Sequence, residues 1–217
     1  MNRNISTYPA IASVLLGFMT FCAPSGYAGP VLAGCCQGPA VAPSAVPNPG
    51  DSVAGISTAW ETDAGKQIKL SDLNGRVHVI SMFYATCQGV CVTTKEDMQQ
   101  IEASLSPAAR QRVGFVLVTL DPVRDTDASL QTYRRTENLS KRRWTLLRGD
   151  EAATAKLANL LGVSAGRDAS GRFIHSSELI VLDASGRILQ RHSGLHANLS
   201  AITREIEIAA SSQTKNL

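Results

Sequence analysis

Two largely apolar runs with a helical segment between them constrain the fold of this chain more than any other feature of its sequence. The runs Val77 to Phe83 and Val113 to Leu120 have the composition of buried strands. Between them, Met98, Ile101 and Leu105 recur at helical spacing. A helix that connects two strands of one sheet places them parallel. The sequence therefore predicts an α/β fold built around a parallel pair of strands.

Turn residues predict a hairpin on either side of this parallel pair. The first turn lies at Asp63 to Lys66, and the second, at Asp183 to Gly186, joins two apolar segments near the C-terminus. A further short strand is expected at Trp144 to Leu147. In the helix that closes the chain, Ile202 and Ile206 are expected to face the core.

Cys87 and Cys91 stand four positions apart, where the first apolar run gives way to the helix. Residues i and i+4 share a helix face, so the two sulfurs can converge on one metal ion or form a disulfide. The positive end of the helix dipole favours a thiolate, so Cys87, nearer the helix start, is expected to be the more acidic. The order of elements predicts a thioredoxin-like fold, with a central mixed β-sheet flanked by helices and an N-terminal β-hairpin.

The segment after the second apolar run is expected to form a turn and a helix start. Asp121-Pro122 predicts the turn, and Asp125 or Asp127 is expected to cap the helix that follows, with Arg124 pairing locally. The alternative is that Asp121 and Asp125 support a nearby metal site.

Residues 1–28 have the features of a signal peptide. Arg3 supplies a positive start, Ile11 to Phe21 form an apolar stretch, and small residues precede a cleavage point after Ala28. Leu32 to Cys35 resembles a bacterial lipobox, so the alternative is a lipoprotein signal that ends before Cys35, and an uncleaved anchor is a third. Each alternative predicts an exported protein, periplasmic or at the outer face of the inner membrane.

Composition divides the remainder of the chain into three parts. Residues 29–55 are rich in Pro, Gly and Ala and are expected to form a linker. Residues 56–210 have the length of one domain, and residues 211–217 are expected to be a flexible tail. The net charge of +3 gives no indication of a nucleic-acid partner. A local basic cluster is expected to be a solvated helix end and loop, with a docking patch for an acidic partner as the alternative: Arg134, Arg135, Lys141, Arg142 and Arg143.

Of the five cysteines, only Cys87 and Cys91 have a structured context. Cys22 lies in the predicted signal peptide, and Cys35 and Cys36 lie in the linker, where they are interpreted as processing-site residues. A structural disulfide across so short a loop would stabilise little, which favours a redox or metal-binding role for the structured pair.

Several motifs, in order, resemble those of the Sco/SenC family of copper-handling proteins. They are Phe83-Tyr84-Ala85-Thr86-Cys87-Gln88-Gly89-Val90-Cys91, Asp121-Pro122-Val123-Arg124-Asp125 and His175-Ser176, supported by Leu70-Ser71-Asp72-Leu73-Asn74-Gly75 and Asp183-Ala184-Ser185-Gly186. The resemblance implies a domain tethered at a membrane that binds copper through Cys87, Cys91 and His175. It also implies a role in assembling the binuclear copper centre of cytochrome c oxidase, whose copper-bearing subunit would be the partner.

The chain departs from the family pattern at two positions beside these ligands. Gln88 stands where the family commonly has proline, and Ile174 stands where it commonly has aspartate. Neither change removes a ligand. Loss of the carboxylate removes a group that could orient the histidine, so copper affinity and redox potential are expected to be affected.

Three functions remain open at this stage. A copper chaperone would use two thiolates and one imidazole, a donor set that suits copper, whereas structural zinc ordinarily takes four ligands. A thiol-disulfide oxidoreductase would use Cys87 to attack and Cys91 to resolve, and would reduce the cysteines of an apo copper site, itself drawing on a thiol reductant. A peroxidase-like enzyme would need fast reaction of Cys87 with peroxide.

Overall fold

The computed structural model describes residues 48, 50–167, 169, 173–196 and 198–212. The predicted signal peptide, the alternative lipid site at Cys35 and most of the predicted linker lie outside these residues. Among the helices that are described, none combines the length and apolar character needed to cross a membrane.

The described part of the chain contains nine strands in two sheets. Seven form one mixed sheet in the order β2-β1-β5-β4-β3-β8-β9, and β6 and β7 form a separate pair. The strands are β1 Ala59–Thr62, β2 Gln67–Lys69, β3 Val77–Phe83, β4 Val113–Thr119, β5 Trp144–Arg148, β6 Ala165–Arg167, β7 Phe173–His175, β8 Glu178–Leu182 and β9 Ile188–Ser193.

Strands β3, β4 and β5 are parallel and form the centre of the sheet. Val77 on β3 pairs with Val113 on β4, and Phe115 on β4 pairs with Trp144 on β5. The outer strands are antiparallel to their neighbours: β1 to β2 and β5, and β8 to β3 and β9. This is the thioredoxin-like arrangement, so the predicted fold class and N-terminal hairpin are confirmed.

Five α-helices accompany the sheet in the described residues. They are α1 Val90–Ser104, α2 Pro107–Arg110, α3 Asp127–Thr136, α4 Glu151–Leu161 and α5 Leu199–Ser212. Asp150 begins α4 by accepting a hydrogen bond from the Ala153 N–H at 2.6 Å. Gly162 ends it with a φ of 68°, a left-handed conformation that glycine adopts without strain.

The sheet is buried on both faces. Val79 and Phe83 on β3 pack in a cluster with residues of α1, α3 and α5, whereas Ile80 and Met82 face a second cluster with residues of α4. A central parallel strand covered on both sides is expected to be apolar throughout, as this one nearly is. Cys91 belongs to the first cluster, so that side of the sheet carries the cysteines.

The predicted caps of α3 are wrong. The N-cap is Thr126, whose side chain accepts from the Ser129 N–H, and neither Asp125 nor Asp127 caps the helix. Asp125 instead forms tertiary hydrogen bonds. The predicted local pair is present, because Arg124 Nη1 lies 3.1 Å from Asp121 Oδ2.

The predicted solvated basic cluster is also partly wrong. Arg134 is buried and donates two hydrogen bonds to the carboxylate of Asp63, at 2.6 and 2.8 Å. Arg143 forms an ion pair with Glu102. A buried guanidinium is stable only when its charge is paired and its donors are used, and Asp63 provides both.

The packed domain begins before residue 56, where the sequence analysis ended the linker. Val53 is fully buried, and Ser52 forms a β-bridge with Arg187. The Gly50 N–H also donates to the Ile188 carbonyl at 3.2 Å. At the other end, α5 continues to Ser212, into the predicted tail.

Candidate metal centre

The cysteine loop lies between the end of β3 and the start of α1. The Cys87 N–H donates to the Tyr84 carbonyl at 3.1 Å, which turns the chain immediately after the strand. Cys91 lies in the first turn of α1 and is 2% exposed, whereas Cys87 is partly exposed. Both are free thiols. The turn thus brings both cysteines to the N-terminal end of the helix.

His175 reaches this region from a hairpin that the sequence analysis missed. It is the last residue of β7 and pairs with Ala165 on β6. Each strand of this hairpin has three residues, too few for a periodic pattern. The tyrosine ring of Tyr84 packs against His175 edge-on, with centroids 5.8 Å apart.

The structure brings together all three of the predicted ligands. One ligand atom each from Cys87, Cys91 and His175 lies within 4.8 Å of the other two. Cys91 Sγ is 2.7 Å from His175 Nε2. No fourth cysteine, histidine or carboxylate joins the group within the described residues.

The Ser176 carbonyl sets the tautomer of His175. It lies 2.8 Å from Nδ1, which must therefore carry the proton and donate it. Burial lowers the pKa of His175, so the ring is held neutral with the Nε2 lone pair directed at the Cys91 sulfur. A backbone carbonyl thus supplies the orienting contact, and the Ile174 departure from the family pattern leaves that orientation intact.

The two thiols differ in acidity. Burial opposes ionisation of Cys87, but hydrogen bonds from the Cys91 side chain and from the backbone N–H groups of Gly89 and Cys91 outweigh it and lower the Cys87 pKa. Burial and the neighbouring Cys87 raise the pKa of Cys91 far above its usual range. The expectation that Cys87 is the more acidic is confirmed.

Asp125 fixes the start of the cysteine loop. Its Oδ2 accepts from the Ala85 N–H at 2.9 Å and from the hydroxyl of Thr119 at the end of β4. Burial raises the pKa of Asp125, although these two hydrogen bonds partly oppose the rise. The carboxylate therefore connects the loop that carries Cys87 to the neighbouring strand. The sequence predicted a helix cap for Asp125, with support of a nearby metal site as the alternative, and this contact with the cysteine loop agrees with that alternative.

A second side-chain contact fixes α1 relative to His175. Thr94 Oγ1, one turn into α1, lies 2.6 Å from Ser177 Oγ, two residues after the histidine. Each hydroxyl also donates to a backbone carbonyl: Thr94 to that of Val90 at 2.9 Å and Ser177 to that of Gly194 at 3.4 Å. This contact determines how the helix that carries Cys91 approaches the strand that carries His175.

A cleft of about 690 Å³ opens beside the three ligands. Gln88 and Ile174 both line it and are exposed, so both departures from the family pattern alter its surface. The lining residues are Tyr84, Thr86, Cys87, Gln88, Gly89, Val90, Arg124, Arg167, Phe173, Ile174 and His175.

The motifs, the fold and this clustered triad correspond to one known family. The SCO1/SenC family model matches residues 56–211. The chain belongs to the SCO1/SenC family. The resemblance that the motifs indicated is therefore confirmed over almost the whole described domain.

Matches to individual proteins are either short or low in sequence identity. A Stutzerimonas stutzeri protein named "Putative copper-binding protein" is 36% identical over 61 residues, which is 28% of this chain and 30% of that protein. The match thus spans less than a third of that relative's length.

Two solved structures illustrate the shared fold. The SCO1/SenC family lipoprotein of Bacillus anthracis is 22% identical, with a TM-score of 0.63 over 70% of this chain and 92% of that chain. Copper-bound yeast Sco1 is 18% identical, with a TM-score of 0.60 over 76% of this chain and 90% of that chain.

The donor set fits a soft metal ion with an open coordination position. Two sulfurs and a neutral imidazole nitrogen are ligands that copper accepts in both of its common oxidation states. Three protein ligands leave room for a ligand from another molecule, which a four-ligand structural zinc site does not. The same pair of unlike thiols is also suited to thiol-disulfide exchange.

Proposed function

We propose that this protein binds one copper ion through Cys87 Sγ, Cys91 Sγ and His175 Nε2. The observation that carries the proposal is the convergence of these three atoms within 4.8 Å, with the imidazole tautomer set for binding through Nε2. Cys87 and Cys91 would bind as thiolates, because the copper charge favours loss of their protons. The copper-bound yeast relative supports the choice of metal.

We further propose that the protein delivers this copper to the binuclear copper centre of cytochrome c oxidase, or to a related extracytoplasmic copper enzyme. Membership of the SCO1/SenC family supports this role. The partly exposed Cys87 at the cleft gives an acceptor ligand access to the metal. The copper ion would be held by three ligands and would be accessible from the cleft, as transfer to another protein requires.

We infer that the domain works outside the cytoplasm and attached to a membrane. The signal-like residues 1–28, with the alternative lipid site at Cys35, support export. The Bacillus anthracis relative is itself a lipoprotein. Residues between the N-terminal segment and the domain would then act as a spacer.

Copper titration of the reduced protein, with X-ray absorption to identify the ligands, tests the copper proposal. We expect one copper per chain, two sulfur ligands and one nitrogen ligand. His175→Ala should lose the nitrogen ligand and bind copper more weakly. His192→Ala is the matched control, since His192 lies on β9 against Glu205 at 3.0 Å. Unchanged affinity and ligands in His175→Ala would refute the three-ligand site.

The unequal thiols favour a second function, reduction of a disulfide in an apo copper protein. Cys87 would attack with its lowered pKa, and Cys91 would resolve the mixed disulfide. Cys91→Ser should then accumulate a mixed disulfide at Cys87 with a disulfide substrate, and Cys87→Ser should not. If wild type and His175→Ala reduce a disulfide substrate at equal rates and neither takes up copper, disulfide reduction is the main function.

Fast reaction of Cys87 with peroxide would instead indicate the peroxidase alternative.

A further inference from the structure

Among the described residues that line the cleft beside the ligands, the charged side chains are those of Arg124 and Arg167, and none is an aspartate or glutamate. Ile174 lines the same cleft with 44% of its surface exposed. Cationic groups beside an exposed aliphatic side chain complement a protein surface with negative charge and an apolar contact.

Arg124 is held in place before any partner arrives. Its Nη1 lies 3.1 Å from Asp121 Oδ2, and its backbone N–H donates to the Asp121 carbonyl at 3.1 Å. The Arg124 side chain is 61% exposed and that of Asp121 is 11% exposed. The ion pair therefore presents its positive member to solvent and keeps its negative member inside. A cation fixed in this way loses little conformational entropy on binding.

Arg167 comes to the cleft from a different element. It lies at the end of β6, and its guanidinium is 5.6 Å from the centroid of the Phe173 ring on β7. Stacking on an aromatic face orients the planar guanidinium. Arg124 thus precedes Asp125, which contacts the cysteine loop, and Arg167 lies on the strand that pairs with the strand of His175.

We propose that this cleft is the docking surface for an acidic segment of the protein that accepts the metal, with Arg124 and Arg167 attracting it and Ile174 contacting it. The inference rests on the proposed copper delivery. Cys91 is buried and Cys87 lines the cleft, so an acceptor ligand that enters through the cleft meets a surface that these three residues help to form. Transfer as Cu(I) involves no electron exchange, and the protons of two acceptor thiols pass to Cys87 and Cys91.

The test follows transfer from the Cu(I)-loaded protein to two synthetic peptides. Both contain the same pair of cysteines, which are flanked by glutamates in one peptide and by lysines in the other. At low ionic strength we expect the glutamate peptide to take copper about tenfold faster, and high salt should abolish the difference. Copper affinity, measured separately by competition with a chelator, shows whether the protein binds its cargo at all.

Charge reversal then identifies the surface. Arg124→Glu with Arg167→Glu should remove the preference for the glutamate peptide while leaving Cu(I) affinity within about twofold of wild type. Lys141→Glu with Arg142→Glu makes the same change in net charge at exposed positions that precede β5, at the opposite end of the parallel strands from the cysteines. This control should keep the preference.

Each remaining outcome decides against a particular statement. Normal Cu(I) binding with equal rates for both peptides would overturn the docking surface alone. Failure to bind Cu(I) would overturn the proposed function and the docking surface with it. If the wild type binds phosphatidylglycerol vesicles through the two arginines and shows no peptide preference, the cleft recognises lipid headgroups and the proposal is wrong. An equal loss of preference in the control pair would also contradict it.

Discussion

At the scale of single residues, the site depends on side chains that the ligands do not touch. Asp125 is a positioning residue: it accepts from the Ala85 N–H at 2.9 Å and from the Thr119 hydroxyl, and it is 2% exposed. Without the carboxylate, the buried Thr119 hydroxyl and the partly buried Ala85 N–H would lose their acceptor. Such groups cost more than the hydrogen bond itself contributes.

We therefore expect Asp125→Ala to lower the free energy of unfolding by about 1–3 kcal/mol and to weaken copper binding about tenfold. Asp125→Asn keeps an acceptor oxygen and should recover most of both losses. Urea unfolding and the copper absorption spectrum measure the two effects. Equal losses in the Ala and Asn variants would show that the carboxylate does not act through these hydrogen bonds.

A close approach between two neighbouring strands gives a second prediction at this scale. A Cβ on Gly114 would lie 2.6 Å from two ring atoms of His78, its partner across β3 and β4. Gly114→Ala should therefore reduce stability by about 1–3 kcal/mol, as overpacking does. The urea midpoint of Gly114→Ala with His78→Ser, which makes room for the methyl group, should exceed that of Gly114→Ala with an intact histidine. No recovery would mean that another contact causes the loss.

At the scale of elements, α1 and the segment before β8 are joined by Thr94 and Ser177, whose hydroxyl oxygens are 2.6 Å apart. A double-mutant cycle with Thr94→Val and Ser177→Ala should give a coupling energy of about 1 kcal/mol in urea unfolding. Thr203→Val, whose hydroxyl bonds to the Leu199 carbonyl within α5, is the control and should show no coupling with Ser177. A coupling energy near zero between Thr94 and Ser177 would show that this contact does not position α1.

The sequence predicts an element well when its own pattern determines it. β3 and β4 are recognised because strands buried on both faces are apolar along their length. The β6–β7 pair has no such pattern, so the strand that carries His175 was missed. Likewise, Asp125, Thr126 and Asp127 are all residue types that can cap a helix. Asp125 does not cap α3 because its carboxylate accepts a hydrogen bond from the Ala85 N–H, which is distant in sequence.

The prediction that Arg134 is solvated was wrong because its partner is distant in the sequence. Arg134 was expected in solvent because it belongs to a basic run, but Asp63, 71 positions earlier, pairs with it in the interior. The site ligands could be predicted from the sequence because they belong to recognisable motifs. The contact that orients His175 could not, because it is made by the backbone carbonyl of Ser176, which every residue type has. Backbone contacts of this kind appear only with the structure.

At the scale of the whole molecule, burial of His78 links stability to pH. Burial lowers its pKa from 6.5 to about 4. Between these values the unfolded chain binds a proton at His78 that the folded chain does not, so acid favours unfolding. His175 acts in the same direction, because burial lowers its pKa too.

We expect the free energy of unfolding of the metal-free protein to fall by up to about 3 kcal/mol through His78 as the pH is lowered from 6.5 to 4. Urea unfolding at a series of pH values measures the slope. His78→Gln should make the slope shallower between pH 6.5 and 4, with the His175 contribution remaining. An unchanged slope in this variant would assign the acid sensitivity to other groups.

The ligands come from two distant parts of the chain, since Cys91 and His175 are 84 positions apart. During synthesis the cysteines emerge first, and a nascent chain offers two sulfurs on a local segment with no imidazole beside them. The three-ligand site exists only when the β6–β7 pair holds His175 beside the cysteines. Metal uptake through all three ligands therefore requires the folded chain, and an unfolded copy of this protein would sequester little metal.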